Sequence, residues 1–253
     1  MQLSIKNFII TLLILGGCQS NEDNAPNRDI LDISQLELFT PPNVLSKEFF
    51  YQDSFDDPSW TNHYYYDNKG KITIKVGLNA SADTTGAVTY LYENDVLKWN
   101  YNYSFSHDNL VLESYSEYLY DGEGRLSKVL AHAPGETAEI RYENIYGQNG
   151  NLTQVWYSSD GAEKTTYEYN ENGQRIKESV YAGQESPWIV YFYRYNDQDY
   201  LEAKETSYSV PAENEKKDAF QFDYDQSGNL IEKREYLPSY DFTLARRYTY
   251  EYY

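Results

Sequence analysis

The sequence predicts an all-β protein: an up-and-down antiparallel meander of about fifteen strands, strongly curved or rolled into a barrel-like sheet. Three observations predict it. Tyrosine supplies 29 of 253 residues and aromatics 17%, and these residues favour strands. Aromatic residues alternate with period two over short segments, as in Tyr191-Tyr193-Tyr195 and Phe220-Phe222-Tyr224, the signature of a strand with one buried face. Finally, one phrase recurs. YLYDGEGRL (Tyr118 to Leu126) returns as YYYDNKGKI from Tyr64, YRYNDQDYL from Tyr193 and FDYDQSGNL from Phe222.

The chain opens with a targeting segment. Residues 1–17 carry one lysine, Lys6, then an apolar run from Phe8 to Leu15, then Gly16 and Gly17. A short basic region, a short hydrophobic core and small residues at a cleavage point form a secretory signal peptide. The apolar run is too short to span a bilayer. The block Leu15-Gly16-Gly17-Cys18 resembles the lipobox of bacterial lipoproteins. That resemblance implies a diacylglycerol on Cys18, cleavage before it, acylation of its new amino group, and attachment to a membrane through the lipid. Gln19 rather than Asp follows the cysteine, and Glu22-Asp23 come soon after. These features resemble outer-membrane and surface-export signals of Bacteroidota lipoproteins. Residues 18–45, acidic and containing Pro26, Pro41 and Pro42, read as a tether. Ile30 to Phe39 within it suits a brief helix or an added edge strand.

Residues 46–253 read as a single repeat domain. Taking the second aromatic of each phrase as anchor gives Tyr66, Tyr92, Tyr120, Tyr146, Tyr169, Tyr195, Tyr224 and Tyr250, a period near 26 residues. Each phrase describes a hairpin. Pairing Tyr120 with Leu126 sets Asp121 opposite Arg125 and leaves a three-residue loop. Such loops favour a type I turn followed by a left-handed residue. Asp suits the first position of that turn and Gly the last. Asp121 and Gly124, Asp67 and Gly70, and Asp225 and Gly228 occupy these places. Tyr92 and Leu97 are closer and predict a two-residue turn at Asn94-Asp95. After Tyr146 the Asp is replaced by Gly147, while Gly150 and Leu152 keep their places. Asp199 replaces the Gly after Tyr195 and is tolerated because Asp visits the left-handed region. Tyr169 and Ile176 lie seven apart, which predicts a longer loop or a bulge. A second set of turns falls between the phrases, at His107-Asp108, Pro134-Gly135, Asp160-Gly161, Gln184-Glu185 and Pro211 to Lys217.

The phrase Y-x-Y-D-x-x-G-x-L resembles the YD repeat of RHS-type proteins, in the divergent form of small Bacteroidota lipoproteins. The resemblance spans Tyr64 to Tyr253. It implies a curling antiparallel sheet and, in some members, carbohydrate binding. A sheet of this width is itself expected to curve, with Tyr, Leu and Ile on the concave side. This chain is far too short for the hollow shells of large relatives.

Composition excludes several functions. Net charge is -19, which argues against nucleic acid or anionic lipid surfaces as partners, since both require basic patches. One cysteine rules out an internal disulfide. No metal or cofactor motif stands out: Asp223-Tyr224-Asp225 lacks the further spaced ligands of a calcium loop. His63, His107 and His132 read as lone surface residues, and no residue pair reads as catalytic, so the chain is expected not to be an enzyme. The tryptophans are Trp60, Trp99, Trp156 and Trp188. Trp99, Trp156 and Trp188 lie within the repeats and are the candidate ligand-binding residues, because indole rings stack on sugar faces. The leading reading is a lipid-anchored binding module for a glycan or protein. The alternatives are an assembly lipoprotein pairing through a free sheet edge, with the final strand Arg246 to Tyr253 as that edge, and a glycan-active enzyme. A membrane-spanning barrel conflicts with Glu139, Arg141 and Glu143, where an apolar band would be needed.

Overall fold

The computed structural model describes residues 30–31, 44–52, 56–107, 109–157, 163–206, 217–237 and 243–253. The signal peptide, Cys18 and most of the tether lie outside the described residues, as do the expected turns at Asp160-Gly161 and Pro211 to Lys216.

Seventeen strands form one antiparallel sheet, and no helix occurs among the described residues. They are β1 (Ile30–Leu31), β2 (Leu45–Tyr51), β3 (Trp60–Tyr66), β4 (Ile72–Asn79), β5 (Thr84–Glu93), β6 (Val96–Ser106), β7 (Asn109–Tyr120), β8 (Leu126–His132) and β9 (Glu139–Tyr146). The second half comprises β10 (Leu152–Trp156), β11 (Glu163–Tyr169), β12 (Arg175–Ala182), β13 (Ile189–Tyr195), β14 (Leu201–Thr206), β15 (Lys217–Tyr224), β16 (Leu230–Leu237) and β17 (Thr243–Tyr252). Each strand from β2 to β17 pairs with its neighbour in sequence, and β17 pairs back onto β2, so 16 strands close into a barrel. Closure removes the edges that an open sheet of this width would expose. The expected free edge at Arg246 to Tyr253 does not exist: β17 is paired with β16 on one side and β2 on the other. β1 is an added strand, pairing Ile30 with Val111 and Leu31 with Leu110 on β7.

The hairpins follow from local chemistry. Asp121 Oδ1 accepts the amides of Glu123 and Arg125 at 2.9 Å, and Gly124 sits at φ 77°. Asp67, Asn170, Asn196 and Asp225 hold their loops with the same pair of bonds. A side-chain acceptor thus replaces the missing turn amide partners. Asn94 and Asp95 are both left-handed, at φ 50° and 68°, the two-residue turn expected there. Asp199 takes φ 63° where its neighbours use Gly. The hairpin after Tyr169 differs from expectation. Its loop has the ordinary length, and the residue paired with Tyr169 is Arg175, not Ile176. One residue after each clamp is skipped in the register, for instance Thr73 between Ile72 and Ile74, and Ser127 after Leu126. These recurrent bulges bend and twist the strands, which is what closing the ring requires.

The anchor tyrosines explain the period. The Tyr120 hydroxyl donates to the Leu97 carbonyl at 2.8 Å, Tyr146 to Leu126, Tyr169 to Leu152, Tyr195 to Arg175, and Tyr224 to Leu201. Each of these tyrosines therefore ties down the clamp residue of the repeat before it. The ring closes by the same device, split between the chain ends. Tyr252 pairs with Leu45, its hydroxyl donates to the Leu230 carbonyl at 2.8 Å, and Tyr66 donates to the Leu45 carbonyl at 2.6 Å. The final anchor is thus Tyr252, two residues beyond Tyr250. A net gain of about 0.5–1.5 kcal/mol per bond is typical.

Strand β9 shows which face is which. Glu139, Arg141, Glu143 and Ile145 are exposed, whereas Ile140, Tyr142, Asn144 and Tyr146 are half-buried. The tyrosine face lines the inside of the barrel. It carries Tyr and Leu as expected, with Phe50 and Phe222 beside them, interspersed with Lys, Arg and Glu. One cluster departs from expectation: Ala87, Tyr101 and Tyr103, buried on the outer face of β5 and β6, pack with Leu110, Leu112, Trp99 and Tyr115.

Candidate functional site

Near the end of the barrel opposite the repeat hairpins, Trp60 begins β3 after the β2–β3 connection. Its ring stacks on Phe50 of β2, with centroids 3.8 Å apart and planes inclined by 19°. Phe50 is 2% exposed and Trp60 43%. One indole face is therefore fixed by a buried ring while much of the side chain stays open. Trp60 lines a cavity of about 370 Å³ with Ser59, Asn62, Gly77, Leu78, Asn79 and Thr85, within the size range of small-molecule sites.

The floor is open because of glycine. Gly77 pairs with Gly86 across β4 and β5, so two adjacent inward positions lack side chains. A Cβ on Gly77 would lie 3.2 Å from Thr85 Oγ1 and 3.6 Å from Asn62 Oδ1, reaching into this cavity. A Cβ on Gly86 would meet the Tyr103 carbonyl at 2.7 Å. Polar groups are fixed around the space. Asn62 Nδ2 donates to Glu48 Oε2 at 2.9 Å, and Tyr64 donates to the same oxygen at 3.0 Å. Asn62 is thus oriented with its carbonyl oxygen available as an acceptor. Burial, reinforced by the Glu48 carboxylate, holds the Tyr64 phenol well above its ordinary range. Asn79 serves its own turn, accepting the amides of Ser81 and Asp83. An aromatic platform beside fixed amides suits a polar ring with one apolar face.

The three tryptophans expected to bind ligand do not converge. Trp99 packs outward beside Tyr115 and His132, at centroid distances of 6.2 and 6.4 Å. Trp156 ends β10, 36% exposed, with its indole N–H donating to Gln154. Trp188 precedes β13 and is 71% exposed. His107 is exposed as expected, but the surface reading changes for the half-buried His63 and His132. His132 stacks on Tyr115 at 4.4 Å, and burial lowers the His63 pKa. The turn residues stand where expected, at the far end of the barrel from the cavity. Trp60 went unselected because it precedes the first full phrase. The available signal was glycine inside two strand patterns, which marks a space or a close approach.

The inner wall of β11 to β17 carries charge among its rings. Lys204 pairs with Glu178 at 3.1 Å, and Tyr193 also donates to Glu178. Arg246 lies 3.4 Å from Glu235. The Arg175 guanidinium lies over Tyr167, 3.9 Å from its centroid.

No known family profile matches the chain, and no curated protein is significantly similar to it. Solved structures do align. A crystal structure of TcdB2-TccC3 without its hypervariable C-terminal region aligns with a TM-score of 0.38 at 13% identity, over 77% of this chain and 11% of that one. The Tc holotoxin pore of Photorhabdus luminescens gives 0.35 at 13% identity, over 77% and 13%. A porin-like protein from Bacteroides uniformis gives 0.49 at 11% identity, over 85% of this chain and 100% of that one. The chain thus spans about a tenth of the toxin chains it matches, and the likenesses extend no further than β-rich architecture.

Proposed function

We propose that the protein is a lipid-anchored binding module of the bacterial outer membrane, of the YD-repeat lipoprotein kind, whose barrel receives a saccharide at Trp60. The observation that carries this reading is the pocket. Trp60 is backed by Phe50, the floor is cleared at Gly77, and Asn62 is held by Glu48. A pyranose ring has an apolar face for the indole and hydroxyls for the amides. The lipobox-like Leu15-Gly16-Gly17-Cys18 supports the anchor.

The outer wall argues for a barrel held at the membrane rather than within it. Arg194 bonds outward to Glu202, Glu205 and Asp218, and Lys177 to Glu168. An Arg or Lys on the lipid face at mid-bilayer costs about 2–4 kcal/mol. Titration of the full chain in detergent with neutral and acidic oligosaccharides, followed by tryptophan fluorescence, tests the reading. At least one saccharide is expected to perturb the emission and to bind at least tenfold more weakly to Trp60→Ala, with Trp99→Ala binding as wild type. Equal binding by wild type and Trp60→Ala contradicts the proposal. Membrane release of Cys18→Ala, measured by fractionation, tests the anchor.

A further inference from the structure

The Trp60 pocket is one end of a row. Strand register sets Trp60 opposite Phe50, Phe50 opposite Tyr248, Tyr248 opposite Lys233, and Lys233 opposite Phe222. Directly opposed residues share a face, so these five residues cross the inner wall from β3 to β15. The ring contacts are continuous. Phe50 lies 5.0 Å from Tyr248, and the Lys233 ammonium lies 4.5 Å from the Tyr248 centroid and 5.1 Å from that of Phe220. Beyond them Lys204 sits 5.5 Å from Phe220 and 4.4 Å from Tyr191.

The charges on this wall are not balanced. Glu48 accepts from Asn62 and Tyr64, Glu235 faces Arg246, and Glu178 binds Lys204 and Tyr193. Lys233 has neither a hydrogen bond nor an ion pair among the described residues; its contacts are with ring faces. Glu235 and Glu48 act on it only at longer range, as do the cations Lys204 and Arg246. Burial pushes its ammonium below the ordinary value, as expected for a charge lacking a counter-ion. The chain as a whole carries -19, so an unpaired inward cation goes against the overall composition.

We propose that this row is an extended site for an acidic oligosaccharide, one ring on Trp60 and a carboxylate farther along the chain neutralised by Lys233. Three strand spacings separate the two, roughly 14 Å. That exceeds one pyranose ring and falls within the reach of a short oligomer. The carboxylate gains a charge-assisted bond and supplies the counter-ion that the wall lacks. This inference rests on the saccharide reading of the Trp60 pocket.

The test uses uronic acid trimers (galacturonate, glucuronate and mannuronate) and their methyl esters, which keep the rings and remove the charge. Binding to the full chain is followed by tryptophan fluorescence. At least one acid is expected to bind tenfold or more tightly than its ester, with the preference shrinking as salt rises. Lys233→Met keeps the stem over the rings and should abolish the preference. Lys233→Arg should retain it, and Trp60→Ala should weaken acid and ester alike. Melting temperatures confirm that each variant folds. An unchanged preference in Lys233→Met overturns the inference. So does binding of neutral saccharides at Trp60 with no acid preferred, which leaves the saccharide reading standing. Failure of every saccharide to bind overturns both.

Discussion

On β5 and β6 the outward residues Ala87, Thr89, Tyr101 and Tyr103 are buried, Tyr101 completely. On β13 to β15 the outward residues include Arg194, Glu202 and Asp218, part-exposed, with Arg194 paired to both carboxylates. Both walls are built from the same repeat with the same bulges, although the β5–β6 hairpin uses the two-residue turn at Asn94-Asp95. The repeat therefore specifies the hairpin and the inward anchor and leaves the outward positions free. One wall uses that freedom for an apolar cluster beside β1, the other for charge. The inner faces differ as well. The wall of β11 to β17 and β2 carries lysine, arginine and glutamate among its rings, and binding is expected to run from the Trp60 pocket on β3 to β5 onto this wall.

The largest contrast should come from Tyr101. Tyr101→Ala removes a fully buried ring and is expected to cost about 3–5 kcal/mol. Glu202→Ala on the opposite wall breaks an exposed pair and should cost less than about 1 kcal/mol. Chemical denaturation of both variants measures the difference, and equal losses would erase the distinction between the walls. Gly124→Val forces a branched residue to φ 77° and should cost about 1–3 kcal/mol. Glu123→Ala in the same loop should change stability by less than about 0.5 kcal/mol.

A smaller effect is expected at the ties. Tyr120→Phe and Tyr252→Phe each lose one hydroxyl bond to a carbonyl, worth about 0.5–1.5 kcal/mol. A larger loss at Tyr252 would show that the closing tie matters more than an internal one. The smallest effect concerns acid. Amide bonds, led by that from Arg125, lower the Asp121 pKa below its ordinary value, and bonds led by that from Asn229 do the same for Asp225. A depressed carboxylate stabilises the fold above its unfolded pKa of 3.8. That contribution fades as pH falls from there through the folded value. Asp121→Asn keeps the turn acceptor, as Asn170 and Asn196 do, but loses the ion pair with Arg125, so it should flatten the acid limb of stability and lower neutral stability slightly.

The hairpins were legible in the sequence because their determinants are local. Asp121, Gly124 and Leu126 lie within six residues of Tyr120, and turn chemistry alone fixes them. Arg175 was hidden because it fills the Leu position with a charge, which local pattern reads as a break. A curved or rolled sheet was legible, but the pairing that closes it was not. It joins Ser46 to Glu251 through a 2.9 Å bond across 205 residues, and no period in the sequence says that the last half-repeat will find the first. The same blindness placed the last anchor at Tyr250. The outer apolar cluster and the Trp60 pocket depend on which residues a bulge or a register turns outward or inward, and one skipped residue reverses every face.

Amide hydrogen exchange with and without a bound acidic trisaccharide tests most directly which wall receives the ligand. The account predicts added protection on β2, β3, β16 and β17, around Phe50, Trp60, Lys233 and Tyr248, with the amides of β6 and β7 unchanged. Protection centred on β6 and β7, or none on β2 and β3 at saturating ligand, would contradict it.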